Sequence, residues 1–179
     1  LWMNCCPRAI SVSLAMLIAI YCVLSIMAPV KISGFKFTFE AFPILVSGLL
    51  LGPCDGFLVG AAGSLIYQLF FSGYGITLTT ILWILPHALS GLLVGFYAKR
   101  KRFDLTLTEL IMICCLSAFT VTMLNTLALY IDSKVYGYYS KTLVFGSLAI
   151  KIFIGIILSV FYASIMPKLL DYLKKQIDL

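Results

Sequence analysis

Long stretches of this chain run almost free of charge, and their lengths match the thickness of a lipid bilayer. A helix needs about 20 predominantly apolar residues to cross the hydrocarbon core. The runs over 9–28, 79–98, 106–131 and 142–166 all reach that length. Hydrophobic residues make up 62% of the chain and charged residues 11%, whereas a soluble domain carries roughly a quarter charged. Too little polar surface is present to cover a water-soluble globule. Because lipid cannot hydrogen-bond an exposed backbone, helices are the natural spanning element. The pattern predicts an all-α integral membrane protein, a bundle of six transmembrane helices over 9–28, 40–51, 55–71, 79–98, 106–131 and 142–166. Six spans nearly exhaust the 179 residues as a single membrane domain. No stretch remains for a separate soluble catalytic or nucleotide-binding domain.

Breaker residues place the ends of these helices. Pro29 stops the first helix, since proline supplies no helical N–H. Residues 30–39 follow, with Lys31, Gly34 and Lys36 among apolar neighbours. Their rough alternation suits an extended segment lying on the surface or folding over a pocket. The second helix is short for a full span. Gly52-Pro53-Cys54-Asp55-Gly56 reads as a tight turn, with Asp55 suited to cap the next helix. Ser72-Gly73-Tyr74-Gly75 forms a short loop, and 132–141 a polar, tyrosine-rich one. Pro86 predicts a kink in the fourth helix and Pro167 one in the sixth. Arg8 before an apolar run resembles a signal peptide, but the run is long enough to span and lacks a small-residue cleavage site. A retained first helix is expected.

The formal charge of +6 does not point to nucleic acid, because the basic residues sit at segment ends. That placement suits anionic lipid headgroups. One side of a six-span topology holds Arg8, Lys99, Arg100, Lys101, Arg102, Lys168, Lys174 and Lys175. The other holds Lys31, Lys36, Lys134 and Lys141. The excess places both termini in the cytoplasm and the loops after the first, third and fifth helices outside. Six cysteines are present, mostly within or beside apolar segments. Without a CxxC pair or a Cys/His cluster they read as small apolar fillers, so neither a metal site nor secretory disulfides are expected.

Polar groups inside spans are costly, and their depth is informative. Tyr67 and Gln68 lie near the outer end of the third helix. Trp83 and His87 lie in the outer half of the fourth, Asn125 in that of the fifth, and Lys151 in the outer part of the sixth. Four helices thus carry their main polar groups at a similar level, as a pocket open to the exterior requires. Trp83, His87, Gly91 and Gly95 recur every four residues and share a face. The bland alternatives are interhelical glue for His87 and Asn125, and an interfacial belt for Trp83 and for Tyr136, Tyr138 and Tyr139. Lys151 requires a partner or an anionic ligand; Asp132 could pair with it or be solvated. Ala15 and Ala19 form a small-residue pair that lets another helix approach. Gly48/Gly52, Gly56/Gly60 and Gly91/Gly95 are similar pairs suited to internal packing. A single histidine, no paired carboxylates within spans, and no HExxH or GxSxG argue against an enzyme. A scaffold membrane protein without a small-molecule substrate remains the alternative.

The chain resembles the substrate-binding S components of energy-coupling factor (ECF) transporters over nearly its full length. The resemblance rests on Ala15-Met16-Leu17-Ile18-Ala19, the stretch 37–43, the turn Leu51-Gly52-Pro53-Cys54-Asp55-Gly56, and Ile84-Leu85-Pro86-His87-Ala88-Leu89-Ser90-Gly91. It implies a six-helix fold with a vitamin pocket near the outer surface, lidded by the loops after the first, third and fifth helices. It implies a transmembrane coupling subunit and two cytoplasmic ATPases as partners, with Ala15 and Ala19 docking on the coupling subunit. The S component would topple in the membrane to present its pocket inward, powered by ATP hydrolysis on the partners. This chain has no GxxxxGK[ST] motif of its own, and no cofactor is implied. The region around Pro86 is most like folate-type members, although an arginine those carry near Ser90 is missing here. Pantothenate and pyridoxine-like vitamins stay open. Lys151 suits a carboxylate, and Tyr67, Tyr74 and Trp83 suit a flat ring. Lys36, Gln68, His87 and Asn125 complete the expected binding set.

Overall fold

Ala41–Leu50 is the most apolar helix of the chain and also too short to span a membrane. Its ten residues rise about 15 Å, roughly half of a hydrocarbon core. In the computed structural model, which describes residues 7–27, 30–32, 35–37, 39–73 and 75–177, this helix is central. The side chains of 7–10, 27, 30–32, 35–37 and 174–177 lie outside that description. The order of elements is α1 (Pro7–Met27), β1 (Val30–Ile32), β2 (Phe35–Phe37), α2 (Ala41–Leu50), α3 (Pro53–Phe70), α4 (Thr80–Arg100), α5 (Leu107–Val135), α6 (Lys141–Phe145) and α7 (Leu148–Ile177). Every residue of α2 from Pro43 onward is buried, and α2 touches α1, α3, α4 and α7.

The two strands pair antiparallel, with Lys31 opposite Lys36 and Val30 opposite Phe37. The extended segment expected after the first helix is thus a hairpin. It shares one end of the bundle with the loops after α3 and α5. The starts of α1 and α3 and the ends of α4 and α7 share the other. Three helical stretches are long and apolar enough to cross a membrane among the described residues: Thr80–Arg100, Leu107–Val135 and Lys141–Leu173. Ser11–Ile26 and Ala41–Leu50 are shorter apolar helices.

Glycines set the spacing of α2, α3 and α4. A Cβ on Gly91 would lie 2.1 Å from the Gly56 carbonyl oxygen, and one on Gly60 2.3 Å from that of His87. A Cβ on Gly95 would lie 2.4 Å from the Pro53 backbone. Backbone therefore packs on backbone along this seam, a spacing only glycine permits. Gly52 leads into α3 at φ 107°, with Pro53 in the first turn. That backbone conformation is open to glycine alone without strain, and proline suits the first helical turn, where its missing N–H is not needed. Asp55 falls in the first turn of α3 and does not cap it; Gly52 takes the cap position.

At the same end, Thr106 and Glu109 form a reciprocal capping box for α5. Lys101 reaches Glu109 at 2.6 Å, and that carboxylate raises the Lys101 ammonium above its usual range. Several boundaries differ from the sequence expectation. The fifth helix continues to Val135, and the sixth breaks after Phe145 and restarts at Leu148. Pro86 and Pro167 both lie inside continuous helices.

Because the Gly56 backbone cannot retreat, Gly91→Ala should cost about 1–3 kcal/mol, the usual penalty of overpacking. Gly155→Ala is the control, since its Cβ would meet Ala118 at an ordinary 3.5 Å. Thermal unfolding in detergent checks both; equal midpoints for the two variants would refute the seam.

Candidate functional site

The chain enters α2 through Glu40, and the position of this carboxylate defines the site. Ser25, in the last turns of α1, donates from Oγ to Glu40 Oε2 at 2.9 Å and to the Tyr21 carbonyl at 2.8 Å. His87 Nε2 of α4 stands 3.7 Å from Glu40 Oε1. The Tyr21 ring meets the His87 ring edge-on at 5.9 Å, and its side chain hydrogen-bonds with those of Ser64 and Ser25. A carboxylate at this depth is tolerable only with such partners. Glu40 was absent from the sequence expectation. Its position at the border of a loop and a short helix gave no depth signal.

Glu40 also marks where α2 begins, so the bundle centre contains a helix only from this level to the end with the α2–α3 turn. In the other half, the wall is built by α3, α4, α5 and α7. Contacts between these helices set their register. Ser90 of α4 meets Ser117 of α5 at 2.6 Å, and Thr79 before α4 meets Asp132 of α5. Between these ties Trp83 falls opposite Asn125. Ser159 of α7 donates to the Cys114 carbonyl of α5 at 3.1 Å, and Gly155 faces Ala118. One turn further toward the hairpin, Lys151 reaches the level of Asn125. Ser64 of α3 donates to the Trp83 carbonyl at 3.3 Å, so Tyr67 and Gln68 lie about one turn above Trp83. The helix register thus gathers Trp83, Asn125 and Lys151 at one depth, with Glu40 and His87 a turn beneath.

The individual side chains differ in how far they are engaged. His87 is 8% exposed and held between Glu40 and Tyr21. Tyr67 is half-buried against the cluster of Tyr21, Ile44 and Val59. Gln68, Trp83 and Lys151 are half-buried. Asn125 is also half-buried, but its Oδ1 is fully buried and accepts no hydrogen bond. No hydrogen bond or ion pair directly joins Trp83, Asn125 and Lys151 among the described residues. Asp132 does not pair with Lys151. Its two oxygens accept from the Thr79 and Tyr138 hydroxyls, because the register carries Lys151 roughly two turns too deep. Lys36 is in β2, and its side chain lies outside the described residues, as does the whole of Tyr74. Ala15 and Ala19 stand exposed on α1 beside Met16 and Ile20, on a face left uncovered by the described residues. Cys22, Cys54, Cys114 and Cys115 are free thiols.

A family model described as the S component of ECF-type riboflavin transporters matches residues 9–175. No curated protein matches the chain by sequence. Among solved structures, the S component for biotin from an ECF-type ABC transporter superposes with a TM-score of 0.72 at 17% identity. That match covers 98% of this chain and 95% of the other. FolT bound with folic acid superposes with a TM-score of 0.62 at 21% identity, covering 88% and 92%. At these identities the likeness is one of fold.

The orphaned Asn125 oxygen and the satisfied Ser90–Ser117 pair predict effects of opposite sign on the ligand-free protein. Asn125→Leu removes an unpaired buried acceptor and should raise stability by about 1–3 kcal/mol. Ser117→Ala strips Ser90 of its partner and should lower it by about 1 kcal/mol. Thermal unfolding without added ligand checks the signs; a destabilised Asn125→Leu would show that the amide serves the fold.

Proposed function

We infer, for a chain that belongs to the family of ECF-type riboflavin transporter S components, that it captures a vitamin in the half of its bundle above Glu40 and hands it to an energy-coupling module. The observation that carries this is the half-length central helix. It begins only at Glu40, and above that level α4, α5 and α7 carry half-buried polar groups at one depth, with Tyr67 and Gln68 of α3 a turn higher. A drug-sized ligand requires a concave, largely apolar wall with a few convergent polar groups, and the proposal assigns that wall to this level.

Each residue has a role in this proposal. Trp83 and Tyr67 offer aromatic faces to a flat ring. Asn125, with its unengaged carbonyl oxygen, and Gln68 match donors and acceptors on the ring edge. Lys151 donates to a carbonyl or carboxylate oxygen. Glu40 closes the floor, where its carboxylate can accept from a ring N–H, and His87 orients it. The hairpin carrying Lys36 covers the entrance. Riboflavin is the first candidate, by the family to which the chain belongs. Folate, the ligand of the structurally similar FolT, is second; pantothenate is third.

Delivery belongs to partners. The exposed Ala15 and Ala19 face of α1 is proposed to dock on a transmembrane coupling subunit, with two cytoplasmic ATPases supplying energy. The chain itself performs no catalysis. The S component would topple in a bacterial plasma membrane to release the vitamin inward, with both termini cytoplasmic.

The purified protein should retain its vitamin without any ATPase. Fluorescence titration with riboflavin, folic acid, pantothenate and biotin then ranks the ligands; binding to none of them would sink the proposal. Lys151→Ala should weaken the preferred ligand by about ten- to a hundredfold, the worth of a charge-assisted hydrogen bond. Ala15→Trp and Ala19→Trp should leave affinity intact while abolishing uptake into cells carrying the whole transporter. Equal loss of both would place these alanines in the binding fold.

A further inference from the structure

Two local rules are broken at the hairpin end of the bundle, and one interaction resolves both. Asp132 occupies the last turn of α5, where the helix dipole disfavours negative charge. Thr79 occupies the N-cap of α4, the best position for a threonine side chain to satisfy a free helix N–H, yet its side chain makes no cap bond. Instead the Thr79 hydroxyl crosses to Asp132 Oδ1. One carboxylate oxygen is thereby tied to the N-terminal end of α4, where the dipole favours negative charge. Its second oxygen accepts from the Tyr138 hydroxyl, in the loop after α5.

The surroundings reinforce this junction. Thr79 is 3% exposed, and Thr77 bonds to both Thr79 and Thr80 at 3.2 and 3.1 Å. Lys134 lies 4.1 Å from the Tyr139 ring centroid, and Tyr139 meets Tyr130 edge-on at 5.5 Å. Asp132 therefore joins the end of the loop after α3 to the start of the loop after α5. Both loops border the half of the bundle that α2 leaves free of helix.

We propose that Asp132 is a latch: it holds these two loops together over the vitamin pocket and sets the rate at which ligand enters and leaves. It is a positioning residue, about two helical turns from Lys151, and does not touch the ligand. The inference rests on the pocket assigned above. Closed, the latch costs Asp132 no desolvation without compensation, because both carboxylate oxygens are engaged. Opening it exposes two hydroxyls and a carboxylate that water can solvate, so the two states are close enough in free energy to exchange.

The test is stopped-flow binding and release with whichever of riboflavin and folic acid the wild type binds. Tyr138→Phe removes one hydroxyl from a side chain that is 45% exposed, so the fold is not at stake; Thr79→Val removes the other. Each should raise both the association and the dissociation rate by about tenfold, the loss of one hydrogen bond to a charged group. The dissociation constant should stay within about threefold, since opening is shared by both directions. In the double variant the rates should rise less than the product of the single effects, because the two hydroxyls hold one carboxylate. Wild-type rates in Tyr138→Phe, or a rise in the dissociation rate alone, would overturn the latch. A wild type that binds neither vitamin would instead overturn the pocket.

Discussion

Backbone contact along the α2–α3–α4 seam is the constraint from which the rest of this structure follows. Apolar burial between helices is a weak force in lipid, where tails are as apolar as leucine. Close approach must come from dispersion and geometry. Gly56 against Gly91, Gly60 against His87 and Gly95 against Pro53 bring the α3 and α4 backbones together, and Gly48 of α2 packs on the Gly91 and Gly95 backbone. With the seam closed, a ten-residue helix can occupy the bundle centre without spanning it. Its start is then fixed in depth, and Glu40 with it.

At and below that start, most polar groups pair across helices: Ser90 with Ser117, Ser25 and His87 with Glu40, Tyr21 with Ser64. The buried Tyr162 hydroxyl, in the core beside α2, is an exception and has no hydrogen-bond partner among the described residues. An unpaired buried group would cost more than its partner returns, and these pairs lock helices whose apolar contacts alone discriminate poorly among packings. Above the floor, the Asn125 oxygen is left without a partner, and Lys151 without an ion pair among the described residues. At the rim pairing resumes with Thr79, Asp132 and Tyr138. Under the proposed function, the Asn125 oxygen and the Lys151 ammonium are the groups that a ligand engages.

Much of this was legible in the sequence because membrane depth is written in position along a helix. Counting from Pro86 or from the basic run Lys99, Arg100, Lys101 and Arg102 places Trp83 and His87 within a turn, and the common level of Trp83, Asn125 and Lys151 follows from antiparallel connectivity alone. The glycine pairs announced close helix contact for the same reason. What could not be read was anything set by a pairwise register. Asp132 and Lys151 are both charges near one end of the bundle, and only the offset of α5 against α7 separates them. Glu40 carried no signal because a carboxylate at the start of a helix is ordinary in water. Its significance appears only once α2 is seen to begin inside the bundle. Helix α7 runs past Pro167 to Ile177, with Met166 and Leu170 buried in the core on either side of it.

The two faces of α1 explain how capture and delivery can occupy one small chain without interfering. Leu14, Leu17, Ile18 and Cys22 pack inward around Tyr21, and Ser25 continues that face to Glu40. Ala15 and Ala19 lie on the opposite face with Val12, Met16, Ile20 and Val23, all exposed. At 3.6 residues per turn, positions 15 and 19 cannot rotate toward the core without carrying Tyr21 and Ser25 away from the pocket floor. The inward face is therefore fixed by the network it supports, and that fixes the outward one. The outward face is a mostly apolar surface in which Ala15 and Ala19 leave the least bulk between larger residues. The half-buried Glu40 carboxylate, through Ser25 and Tyr21, thus fixes which face α1 turns inward and which it turns outward.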